Sequence, residues 1–179
     1  AASDWREPTE LRVIDATTGA EEWSVRVNQP AAAAWLADDR LMTSEVDFVD
    51  RFRVFGDLHI VGRHDRRVTK NARLQDADVS RSGSVVAVQN DDGTNRLVLV
   101  DSTSGDIRPL TNFDADTYWS LPRFSPAGDR IAVARWSTGG AYDIVVLDTL
   151  GVVVASVGGV GVNTAPAWSP DGRWLLFSS

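Results

Sequence analysis

Short apolar runs, four to six residues long and bounded by polar turns, recur along the whole chain. Four segments align on one another: AWLADDRLMTS from Ala34, ADVSRSGSVVAV from Ala77, PRFSPAGDRIAVA from Pro122 and PAWSPDGRWLLFS from Pro166. Each has an apolar or aromatic start, a tight turn and then an apolar run. The turn positions Asp39, Gly83, Gly128 and Gly172 stand 44, 45 and 44 residues apart. A second element recurs out of phase with the first, as ELRVIDATTGAEEWSV from Glu10, DLHIVGRHDRRVT from Asp57, NRLVLVDSTSGDIRPLT from Asn95 and YDIVVLDTLGVVVASV from Tyr142. An apolar run, a polar turn usually ending in glycine and a second short run are the signature of a β-hairpin.

Each repeat therefore holds four short strands, here named A to D. Strands B and C, such as SVVAVQ and RLVLVD, are apolar at consecutive positions. That pattern requires burial on both faces of a sheet. A helix is excluded because the runs are too short and too rich in Val and Ile. A period of 40–45 residues with four strands is that of a β-propeller blade, sandwiched between two neighbours. The expected fold is an all-β propeller of about four four-stranded blades, as a single domain over 1–179. Blades are expected over 31–70, 71–112 and 113–164. A further blade would pair 1–30 (strands C and D) with 165–179 (strands A and B). This phase leaves two readings open. The two halves may close a four-bladed ring, or the chain may be part of a longer or partner-completed propeller. The second is favoured because a strand C is due after Ser179, and an uncovered RWLLFSS strand invites aggregation.

The A–B turn has its own logic. In Ser169-Pro170-Asp171-Gly172 the proline presets φ, the aspartate tolerates the third position and the glycine takes the crowded one. Ser125-Pro126-Ala127-Gly128 is the same turn and Ser80-Arg81-Ser82-Gly83 a looser one. The blade over 31–70 lacks this glycine and has the longest B–C connection, around VDFVDRFRVFG.

Composition narrows the function. The net charge of −7 disfavours a nucleic-acid partner. With no cysteine, disulfides, thiol nucleophiles and cysteine-ligated zinc are excluded. No apolar run reaches the 18 residues of a membrane span.

The motifs PAWSPDGRWLLFSS at 166–179 and PRFSPAGDRIAVA at 122–134, with hairpins closing in RRVT at 66–69 and RPLT at 108–111, resemble the propeller repeats of the TolB family. They also resemble the non-catalytic propeller domains of prolyl-oligopeptidase-type peptidases. The resemblance covers nearly all of the chain from Glu10 onward. It implies a binding platform in a bacterial periplasm or envelope, docking another protein or protein complex. Alternatively it implies the gate over a peptidase chamber whose catalytic domain lies outside this chain. TolB-like propellers usually have six blades, more than this length allows.

No catalytic apparatus is expected. The histidines are only His59, within a strand C, and His64, within a turn. Two histidines five apart make no zinc site without further ligands. There is no G-x-S-x-G nucleophile elbow. NDDGTN at 90–95 lacks the spaced carboxylates of a calcium loop and sits where a B–C turn is needed. GGVGV at 158–162 opens no helix and is no phosphate loop. No cofactor or metal is expected. What remains is the surface built by the D–A connections 70–76, 112–121 and 158–164. The candidate partner-binding residues there are Asp76, Asp114, Asp116, Tyr118, Trp119 and Asn163, with Tyr and Trp favoured as interface anchors.

Overall fold

The computed structural model describes residues 9–28, 32–62, 64–158 and 161–179. Among them every regular element is a strand, sixteen in all. Three four-stranded antiparallel sheets follow one another along the chain. The first joins β3 (Ala32–Trp35), β4 (Leu41–Phe48), β5 (Val54–Val61) and β6 (Arg66–Arg67). The second joins β7 (Leu74–Val79), β8 (Ser84–Asp91), β9 (Thr94–Asp101) and β10 (Ile107–Pro109). The third joins β11 (Thr117–Phe124), β12 (Arg130–Ser137), β13 (Ala141–Asp148) and β14 (Val153–Val157). Strand order equals chain order in each, so these are the A, B, C and D strands of three blades.

The flanking pieces depart from expectation. β1 (Thr9–Ile14) and β2 (Glu21–Val27) form one two-stranded sheet, and β15 (Thr164–Trp168) and β16 (Leu175–Ser178) another. Among the described residues the expected pairing of 1–30 with 165–179 into one blade is thus not made. Each hairpin packs instead on its neighbour in sequence. The molecule is an open arc of three blades with half a blade at either side.

The double burial read from strands B and C is present. Val85, Ala87, Val98 and Val100 pack toward the preceding blade, against Met42, Leu58 and Ile60. Val86, Val88 and Leu97, on the opposite face, pack against Ile131, Val133, Val145 and Leu147 of the following blade. Leu11, Val13, Trp23 and Val25 of the first hairpin close over Leu41 and Val61. In β8 and β12 four consecutive side chains, Val85–Val88 and Ile131–Ala134, are therefore removed from water by one neighbour or the other. A fully buried aliphatic side chain contributes about 1.5–3 kcal/mol.

Polar links stitch blade to blade at matching points. Arg66 donates to the carbonyls of Ser102 and Thr103, and Arg108 to that of Thr149. Asp78 accepts from the Phe124 amide at 2.7 Å, and the Trp168 indole donates to the Arg123 carbonyl at 3.0 Å. Burial is the main cause that pushes the Asp78 carboxyl above its usual range, opposed by the Phe124 amide and the Arg123 charge. Inside the first blade, fully buried Asp57 accepts from the Arg67 guanidinium, the Thr69 hydroxyl and the amides of Asn71 and Ala72. That carboxylate fixes the chain as it leaves strand D for the next strand A.

Candidate docking face

The A–B and C–D turns lie at one end of the blades, and the B–C turns and D–A connections at the other. The second end carries the candidate residues. Its geometry is set by the third blade, where a tight B–C turn through Gly139 and Gly140, both at positive φ, fixes the register of β12 on β13. Tyr118, Trp136 and Tyr142 then fall in one cross-strand row. Paired residues share a sheet face. Their rings form a continuous strip, with centroids 5.9 Å apart for Tyr118–Trp136 and 6.5 Å for Trp136–Tyr142. All three are half-buried.

Asn163 closes the outer end of this strip. It is 4% exposed, and its side-chain amide donates to the Tyr142 carbonyl at 2.7 Å. Its loop partly falls outside the described residues, as do 159 and 160 of the GGVGV run. Asp114 and Asp116 stand at the inner end, both exposed. Asp114 accepts from the Asp116 amide and the Thr117 hydroxyl, and Asp116 from the Thr138 hydroxyl at 3.0 Å. These contacts tie the 112–117 connection to the neighbouring B–C turn and leave two carboxylates beside the strip.

Two candidates lie elsewhere. Trp119 is 7% exposed and faces the preceding blade, within the apolar cluster of Val86, Val88 and Ile131. Its backbone is clamped by Asn95, which accepts from the Trp119 amide and donates to its carbonyl, both at 2.9 Å. A partner cannot reach that ring, so the expectation of a Trp119 contact is corrected: it is an interblade core residue. Asp76, half-buried at φ 53°, accepts from the Leu121 amide at 3.4 Å and links two inner strands. Trp136 and Tyr142 are the members of the face that sequence reasoning missed. The signal available for them was the B–C turn, which places Trp136 opposite Tyr142.

A cleft of about 460 Å³ opens at the same end, between the first and second blades. Ser44, Glu45, Gly56, Arg73 and Gln75 are among its lining residues. Arg73 stacks 4.8 Å from the Phe55 ring and pairs with Asp91. Nearby, His59 pairs with Asp47 at 2.8 Å.

A search of solved structures finds TolB from Acinetobacter baumannii at a TM-score of 0.68, with 18% identity over 94% of this chain and 42% of that one. The fold is a TolB-like propeller arc. A prolyl endopeptidase structure superposes at a TM-score of 0.57, with 13% identity over 98% of this chain and 36% of that one. In sequence, the arc is 31% identical over 107 residues to the uncharacterized protein Atu1656 of Agrobacterium fabrum, covering 58% of this chain and 35% of that protein. No family model matches the TolB-like arc. It spans less than half the length of these proteins. Among the described residues no helix is long and apolar enough to cross a membrane.

Proposed function

We propose that this chain is a non-catalytic binding scaffold that docks another protein in a bacterial periplasm or cell envelope. The observation that carries the reading is the strip Tyr118–Trp136–Tyr142 flanked by the carboxylates of Asp114 and Asp116. Half-buried aromatic rings present a large, rigid apolar area at little entropic cost, and such residues dominate binding energy at protein interfaces. The acidic flank favours a partner segment bearing Lys or Arg. The likeness to TolB and the resemblance of the repeats support a platform in the envelope.

A second reading is favoured by the likeness to the prolyl endopeptidase structure: the arc is then the propeller part of an enzyme with its catalytic domain elsewhere. Two experiments divide the readings. Quantitative capture from a bacterial envelope extract is compared between the native chain and a Tyr118→Ala/Trp136→Ala variant whose circular dichroism is native. The scaffold reading expects one partner to lose binding about thirtyfold or more, as for a hot-spot loss of about 2 kcal/mol. Unchanged capture refutes the assigned face. Covalent labelling of the native polypeptide by a fluorophosphonate serine-hydrolase probe establishes the second reading instead.

A further inference from the structure

The cleft between the first and second blades departs from the repeat, and each of those two blades has all four strands. Between the second and third blades the corresponding place is sealed by Asn95, whose side chain bonds both peptide groups of Trp119. The pairs Trp35↔Leu41, Val79↔Val85 and Phe124↔Ile131 set the equivalence. By it Gly56, opposite Val46, stands where Asn95 stands opposite Asn90, and Leu74 stands where Trp119 does. Gly56 has no side chain to reach across, and a Cβ there would overlap the Leu74 carbonyl. By the same count Ser44 occupies the place of Val88 and Ala134. Ser44 is 2% exposed and lines the cleft, and its hydroxyl has no partner among the described residues. An orphaned buried hydroxyl costs stability that valine or alanine does not.

Arg73 is held at this cleft in a strained connection. Asn71 and Arg73 both have left-handed backbone, at φ of 58° and 57°. Asp57 fixes the amides of Asn71 and Ala72, and Gln89 and Asn90 donate to the carbonyls of Ala72 and Arg73. Strain of this kind persists only where its surroundings impose it, and it gathers at binding sites. The guanidinium lies over Phe55, and its Nη1 pairs with Asp91 at 2.6 Å and Asp92 at 3.3 Å. Among the described residues nothing accepts from its Nε and Nη2. That edge is a fork that grips a carboxylate through two parallel bonds. Asp92 is 94% exposed, so water screens its charge. The Glu45 oxygens are taken by the Asn28 amide and the Thr43 hydroxyl. Val46, Val54 and Leu74 supply an apolar wall, and the Gln75 side chain bonds to no described residue.

We propose that this cleft binds the C-terminus of a partner polypeptide. The terminal carboxylate sits on the Nε–Nη2 edge of Arg73. An aliphatic last side chain packs on Val46, Val54 and Leu74, and the last peptide group bonds to the Gln75 amide and the Ser44 hydroxyl. A cleft of about 460 Å³ suits a ligand of that size. The site is separate from the aromatic strip and stands without it.

N-acetyl-leucine carries all three features and is the probe for calorimetric titration of the native chain. The expected result is saturable binding at about 1 mM or tighter. N-acetyl-leucinamide, which lacks the charge, should bind at least about tenfold more weakly, and so should N-acetyl-leucine to Arg73→Lys, which keeps the charge and loses the fork. Ser44→Val, which copies Val88, should unfold at higher urea yet bind more weakly, a combination that a merely structural serine does not give. A hexapeptide with a free C-terminal leucine should bind as well as N-acetyl-leucine. Four outcomes overturn the proposal: no saturable binding, equal binding of the acid and the amide by the native chain, full affinity in Arg73→Lys or Ser44→Val, or exclusion of the hexapeptide, which would make the occupant a free small acid.

Discussion

Gly105 and Gly93 separate the cost of backbone conformation from that of blade contact. Both lie in turns of the second blade, at φ of 79° and 85°. An alanine at either position must hold a left-handed backbone, which costs about 1–2 kcal/mol. At Gly93 a Cβ meets nothing within 4 Å, so the cost ends there. At Gly105 the same atom would overlap the carbonyl oxygen of Val68. That oxygen cannot easily yield, because the Val68 amide is held by the Leu58 carbonyl at 2.7 Å. Displacing one blade against the next adds an overpacking cost of about 1–3 kcal/mol. Gly93→Ala is therefore expected to lose about 1–2 kcal/mol, and Gly105→Ala about 2–5 kcal/mol. Equilibrium urea unfolding followed by tryptophan fluorescence measures both. Equal losses would show that carbonyl contact across blades contributes nothing, and the account of how the sheets stack would fall with it.

Asp57→Ala strands the Arg67 guanidinium and the amides of Asn71 and Ala72, and should cost about 3–5 kcal/mol in the same assay. A loss below about 1 kcal/mol would mean that the carboxylate does not organise its connection. Asp78→Asn keeps an acceptor for the Phe124 amide but cannot ionise. The native carboxyl has its pKa raised by burial, so its stabilising contribution is present in acid and lost as pH rises through the folded value. The variant should thus gain on the native chain at neutral pH, and the gap should close on acidification. A gap that widens in acid would reverse the assigned cause.

The repeat was legible because its turns are chemical. Pro170-Asp171-Gly172 and Pro126-Ala127-Gly128 shape the turns closed by the bonds Ser169–Trp174 and Ser125–Arg130. NDDGTN is the B–C turn its position required, closing at Asp91↔Thr94. The candidate face was less legible because β11 shifts register between Ser120 and Arg123. Counting alternate residues across such a bulge does not tell which of Tyr118 and Trp119 faces inward. Nothing in the sequence marks Asp57 or Asp78 for burial. Asp57 is enclosed by the connection 10–15 residues beyond it, and Asp78 meets the next blade, one full period away, as the Asp78–Phe124 bond shows. Nor does a phase of half-blades reveal whether its halves meet in the same molecule.

The innermost strands β3, β7, β11 and β15 each pair with a partner on one side only. The peptide groups of their second row that Asp76, Asp78, Asn95 and Trp168 do not engage face the concave side of the arc, where successive inner strands converge. A molecule lodged there would be gripped by main chain, and alanine scanning is blind to such a grip. Amide hydrogen exchange of β7 and β11, rather than mutagenesis, is the measurement that would reveal an occupant of the axis.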